Sequence, residues 1–134
     1  MPIRYILEPE LSADEFRAVL LASTLAERRP AGDLPRLGKM LKEADVVVTA
    51  RHDGRLIGIA RAITDYSYCC YLSDLAVDVA YQRQGIGRQL IEETHKAAGK
   101  ITTLILVAAP AAESYYPKVG MQQLKSAWAI PRTG

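Results

Sequence analysis

Apolar residues recur along this chain with a period that switches several times, and each switch marks a predicted element. Residues 5–7 predict a first short strand. Phe16, Val19, Leu20 and the small Ser23 then fall at helical spacing, and Ser12 with Glu15 three residues later forms a capping-box start signal. Pro30 and Gly32 place a loop over residues 28–33. A second, shorter helix follows with Leu34, Leu37, Met40 and Leu41 on one side. The β-branched run at 46–50 reads as a strand, Asp53-Gly54 as a hairpin turn, and 56–63 as the returning strand. Gly58 inside that strand predicts a bulge or a close backbone approach. After a turn at Asp65-Tyr66-Ser67, a third strand spans about 68–77 and a helix runs from Ile86 to Ala98. A buried strand at 103–108, a short helix at 111–119 stopped by Gly120, and a last strand at 126–130 complete the series. The order is an α/β sandwich with a mixed sheet. No repeat, low-complexity tract or linker divides it, so residues 1–134 are expected to form a single domain.

Composition narrows the functional classes without choosing one. A chain of 134 residues, 49% hydrophobic and 24% charged, can bury a core without staples. A net charge of +2 lacks the basic stripe of a nucleic-acid binder. No run approaches the ~20 apolar residues of a membrane helix, and residues 1–12 lack a signal-peptide core. The only cysteines, Cys69 and Cys70, are adjacent, which suits two thiols on opposite faces of a strand better than a disulfide or a zinc site. A reducing, cytoplasmic location and no metal are therefore expected. His52 reads as a turn residue and His95 as a helix-surface residue.

Chemistry concentrates in Gln82-Arg83-Gln84-Gly85-Ile86-Gly87-Arg88, where a strand ends, a short loop turns, and glycines open a helix. The first N–H groups of a helix lack internal partners and carry partial positive charge. Glycines let a ligand approach them, so the segment suits a phosphate or diphosphate, with Arg83 and Arg88 adding charge at the rim. It is not a dinucleotide fingerprint, since Leu90 stands where the third glycine belongs, and no Walker Lys-Ser/Thr follows. Taken alone, the glycines are equally compatible with a plain tight turn.

Gln82-x-x-Gly85-x-Gly87 resembles the pyrophosphate signature of the GNAT superfamily of N-acetyltransferases. Residues 73–77 resemble the central strand that leads into that loop. Tyr115-Tyr116-Pro117-Lys118-Val119-Gly120-Met121 resembles the second signature of the superfamily, at about the expected distance. The resemblance implies a mixed sheet of six to seven strands flanked by about four helices. It also implies an acyltransferase that moves acetyl from acetyl-CoA to a primary amine by direct attack in a ternary complex. The runner-up is a non-catalytic acyl-CoA sensor. The acceptor would be a small-molecule or peptide amine, and similar proteins often form homodimers.

Residue by residue, the resemblance implies that backbone groups of Leu75, Ala76 and Val77 hold the pantetheine arm. Arg83, Gln84, Gly85, Ile86, Gly87 and Arg88 would seat the diphosphate. Tyr116 aligns with the tyrosine that protonates the departing thiolate, and Tyr115 reads as core or wall. Asp74 is expected either to take the ammonium proton or to pair with an arginine. The positions where many members carry an acid and an asparagine hold Leu104 and Ala109 here, which leaves the base open. Arg28 and Arg29 are either anion-binding residues of the acceptor site or part of a solvated loop. Asp65 and Tyr66 either contact a cationic amine or simply end a hairpin.

Overall fold

Among the described residues five strands form one sheet in the spatial order β1-β2-β3-β4-β5, the same as their order in the chain. They are β1 (Arg4–Leu7), β2 (Val46–His52), β3 (Arg55–Thr64), β4 (Cys69–Val77) and β5 (Thr103–Ile105). The first four pair antiparallel, and β5 lies parallel to β4. The computed structural model describes residues 2–109 and 112–134. Three α-helices cover the sheet: α1 (Ala13–Ser23), α2 (Leu34–Lys42) and α3 (Ile86–Ala98). Local signals explain most boundaries. Ser12 Oγ accepts the Glu15 N–H at 3.1 Å and caps α1, and Asp33 caps α2 through the Arg36 N–H at 3.1 Å. Asp53 and Gly54 take φ of 50° and 82°, the left-handed pair that a two-residue hairpin needs.

The sheet separates two apolar layers. Val46, Val48, Ala60, Ala62, Cys70 and Leu72 pack with Ile86, Leu90 and Ala98 of α3 on one face. Val47, Ile59 and Ala76 pack with Phe16, Val19, Leu20, Leu37 and Leu41 of α1 and α2 on the other. Two irregularities decide what each face carries. In the β2–β3 ladder Ala50 faces Gly58 but Arg51 faces Leu56, so Ile57 is the extra residue. Gly58 supplies the close approach, since a Cβ there would sit 3.1 Å from Leu90 Cδ1 and 3.3 Å from Ala50 Cβ. In the β3–β4 ladder Arg61 faces Asp74 and Ala62 faces Leu72, which leaves Ser73 as the extra residue. A one-residue insertion flips the parity of a strand. Leu72 therefore points toward α3, whereas Asp74 and Ala76 point toward α1 and α2.

The expected sheet of six to seven strands with about four helices is corrected to five strands and three α-helices among the described residues. The predicted last strand at 126–130 does not form. Trp128 is 95% and Ile130 99% exposed, and a strand without a packed face or a ladder partner gains nothing from its propensity. The strand predicted at 103–108 stops at Ile105, where the chain leaves β4. The predicted fourth helix becomes a 3₁₀ turn over Tyr116–Val119; its expected start at 111 lies outside the described residues. Pro117 explains the shortening, because proline fits only the first turn of a helix.

Candidate active site

Among the described residues three residue pairs join β4 to β5, namely Cys69 with Thr103, Cys70 with Leu104 and Tyr71 with Ile105. Beyond them the two segments part. β4 continues to Val77, while the other chain departs through Leu106, Val107 and Ala109. The gap is a cleft of about 610 Å³. Leu72, Ser73, Leu75, Ala76 and Val77 form one side, Leu106, Val107 and Tyr116 the other, and the turn Leu25–Arg28 after α1 closes the top. The expected pantetheine residues Leu75, Ala76 and Val77 thus sit together on the cleft wall. The Gln82 side chain also lines the cleft, and its Nε2 donates to the Val77 carbonyl at 3.0 Å.

The loop from β4 to α3 is built to expose the helix start. Asp78 anchors its root: its amide donates to Ile57 O at 2.8 Å, and its carboxylate accepts from the Ala80 N–H at 2.9 Å. Arg83 and Gly85 then adopt φ of 66° and 82°, which bends the chain sharply into α3. Residues 82–85 are exposed, and a Cβ added at Gly85 would meet nothing within 4 Å. The first turn of α3 leaves its N–H groups without intrahelical partners, and the ladder begins with Gln89 N to Gly85 O at 3.1 Å. Arg83, Gln84, Gly85 and Arg88 are thus exposed around the helix start, whereas Ile86 is buried in the core. Gly87 differs from Gly85, because a Cβ there would fall 2.8 Å from Tyr115 Oη.

Tyr116 stands on the cleft wall, and Tyr115 meets it edge-on with ring centroids 5.2 Å apart at 80°. Burial, with a smaller push from Tyr115, raises the Tyr116 phenol above its ordinary value near 10. Burial also raises Tyr115, partly offset by the backbone amide and charge of Arg88. Tyr116 therefore holds its proton throughout the neutral range.

Asp74 is fully buried and engaged on both oxygens. Arg29 Nε donates to one and Arg61 Nε to the other. Arg29 Nη2 also donates to Ser73 O at 2.7 Å, and Arg61 reaches Ser73 Oγ at 3.1 Å and Met40 O at 3.2 Å. Of the two expectations for Asp74, the arginine pairing is the one formed. The same network ties the loop after α1 to β4 through Arg29, which also lines the cleft. Arg28 remains exposed on the cleft rim.

Asp65 and Tyr66 do not line the cleft. Asp65 Oδ1 accepts from the backbone amides of Ser67, Tyr68 and Cys69, and these bonds hold its carboxyl down at about 2. Tyr66 donates to Asp45 O at 3.0 Å. Both serve the hairpin end. Sequence reasoning missed Glu27, an exposed carboxylate on the cleft wall that makes no ion pair among the described residues. Its signal was faint: one acid beside the two arginines that drew attention.

A mixed sheet with one parted parallel pair and a cleft beside it defines a mixed α/β fold. A family model described as an acetyltransferase (GNAT) domain matches residues 33–128, and the chain belongs to this family. The histone acetyltransferase TAP1 of Glycine max is 35% identical over 77 residues, 49% of this chain and 32% of that protein. The chloroplastic GCN5-related N-acetyltransferase 2 of Arabidopsis thaliana is 31% identical over 74 residues, 54% of this chain and 29% of that protein. The match thus spans about a third of these relatives' length. Among solved structures, a probable acetyltransferase of methicillin-resistant Staphylococcus aureus superimposes with a TM-score of 0.82 at 20% identity, covering 99% of this chain and 100% of that one. The aminoglycoside acetyltransferase AAC(6')-Iy, in complex with a CoA bisubstrate analogue, gives 0.77 at 15% identity with both chains fully covered. These structures share the fold. Among the described residues no helix is long and apolar enough to cross a membrane.

Proposed function

We propose that the protein is an N-acetyltransferase that carries acetyl from acetyl-CoA to a primary amine by direct transfer. The observation that carries this reading is the cleft between β4 and the departing chain, open at one end to the first turn of α3 and bordered by Tyr116. The residues present fit the cofactor. Leu75, Ala76 and Val77 offer a β4 edge that has no strand partner beyond Tyr71. The Gly85 amide and its neighbours offer unpartnered donors to a diphosphate. Acetyl-CoA would supply an activated thioester. The protein's own contributions are a β4 backbone N–H aimed at developing negative charge on the carbonyl oxygen and a phenol proton from Tyr116.

The proton of the incoming ammonium goes, in this reading, to Glu27 rather than to Asp74. Glu27 reaches the cleft with its carboxylate unspent, and Asp74 is pinned from both sides. Glu27→Gln is expected to lower kcat/KM for the amine by about 10²-fold, with the loss shrinking at alkaline pH as more amine is already neutral. A steady-state pH series on both proteins checks it; equal profiles would remove Glu27 from the reaction. The acceptor is a cationic amine, small-molecule or peptide, and the free thiols Cys69 and Cys70 fit a reducing cytoplasm.

Calorimetry tests the cofactor assignment. Acetyl-CoA should bind, and acetyl-pantetheine, which lacks the diphosphate, should bind at least about 10²-fold more weakly because the charge-assisted bonds at the helix start are absent. Equal affinities would refute the diphosphate seat. Thiol release across an amine library then separates enzyme from sensor: binding without turnover on any amine favours the sensor.

A further inference from the structure

Strand register leaves one corner of the sheet bare. Ile63, Tyr71 and Ile105 are partners across β3, β4 and β5. Ile63 shares the parity of Ile59, so this row points to the side that carries α1 and α2. Those helices pack over Ile59 and Ala76 instead, and the row stays 42%, 43% and 37% exposed. Among the described residues β5 pairs with β4 alone, so its far edge is open. A second bare surface lies further along the chain. Every residue from Gln122 to Gly134 is exposed, Leu124, Trp128 and Ile130 among them. Trp128 and Ile130 share one face of an extended segment, and the small Ala127 and Ala129 share the other.

The two surfaces fit each other. A strand laid along the far edge of β5 with Trp128 beside Ile105 carries the apolar row to a fourth strand. Its alanines then face the side of the half-buried Leu104. Within one chain the segment stands clear of that edge, whereas a second copy presents the same two surfaces in reverse. Weighted by their exposures, the row and the three large apolar side chains of the segment show on the order of 700 Å² per chain, within the roughly 600–1,000 Å² each partner brings to a stable dimer. We propose that residues 126–130 of one copy add as a strand to the far edge of β5 in a second copy, and the reverse, with Trp128 covering the row Ile63-Tyr71-Ile105. The exchange supplies the ladder partner that this segment lacks in its own chain. It is independent of the acetyl-transfer reading, because the cleft opens on the β4 side of β5.

Trp128 is the sole tryptophan of the chain, so its emission reports the segment directly. Fluorescence and light-scattering mass are followed over one dilution series. The expected result is a dimer with a Kd of about 10 µM or tighter, its formation coinciding with a blue shift of the emission. Tyr71→Glu puts a charge into the row and Trp128→Ser empties the segment. Both positions are exposed in the single chain, so both variants should melt like dilute wild type and remain monomers. A blue-shifted monomer indifferent to dilution would seat the segment on its own sheet and overturn the proposal. A dimer whose tryptophan stays in water, a wild type that stays monomeric, or a dimer that survives Tyr71→Glu would overturn it as well. Excess Trp128→Ser titrated into Tyr71→Glu brings an intact row to an intact segment and should give a saturable blue shift. The double variant in the same excess should give none. No shift with either donor, or the same shift with both, would rule out the exchange.

Discussion

Replacing Tyr116 with phenylalanine is expected to lower kcat by about 10²- to 10⁴-fold while leaving acetyl-CoA affinity nearly unchanged. The substitution keeps the ring and its edge-on contact with Tyr115 and removes only the proton source. The pH profile identifies the cause. A phenol acts as an acid only while protonated, so activity survives below its pKa and fails above it. Burial raises the Tyr116 pKa, which moves the alkaline limb of kcat above the usual tyrosine value near 10. In Tyr116→Phe that limb should vanish and the residual rate should be flat with alkalinity. An unchanged limb in the variant would assign the proton to another group.

Asp74→Ala should be the most destabilising single change in the site. It leaves the Arg61 and Arg29 guanidiniums facing an empty, buried space, with side-chain exposures of 9% and 22%. Removing one partner of a buried pair costs about 3–5 kcal/mol. For a domain of this size that is a fall in melting temperature of roughly 10 °C or more. Asp74→Asn should lose less, since it keeps the shape and an acceptor oxygen. Thermal melts with kcat measured well below the transition distinguish the two roles once weighed for Asp74. A strut variant melts early yet turns over normally when cold. A base variant melts normally and is slow. The first pattern is expected, because both carboxylate oxygens are already committed.

The parts of the molecule legible in the sequence are those set by local rules. Ser12 and Asp53-Gly54 announced their cap and turn through side-chain and dihedral requirements that operate over a few residues. Gly58 announced a close approach, and Leu90 makes it. The loop around Gly85 was readable because its backbone demands show directly as residue types. What escaped was set by long-range pairing. Residues 126–130 carry strand-forming side chains but find no ladder, which no window of sequence reveals. The extra residue at Ser73 turns Asp74 toward α1 and α2 and so toward two arginines 13 and 45 residues away in the chain. Without that bulge, Asp74 reads as well as a base as it does as an anchor. Glu27 was invisible for a similar reason: only the packed turn carries it to the cleft.

The ladder between β4 and β5, three pairs long, carries one more implication. Room for a ligand here depends on where a zipper stops, and no particular side chain has to be kept for it to stop there. In the proposed function backbone amides would do the gripping, so β4 residues of the lining could drift through evolution provided the seam does not lengthen. A single further rung joining Leu72 to Leu106 would begin to weld the entrance shut. Selection on such a protein acts on the grammar of strand endings more than on the vocabulary of residues within them.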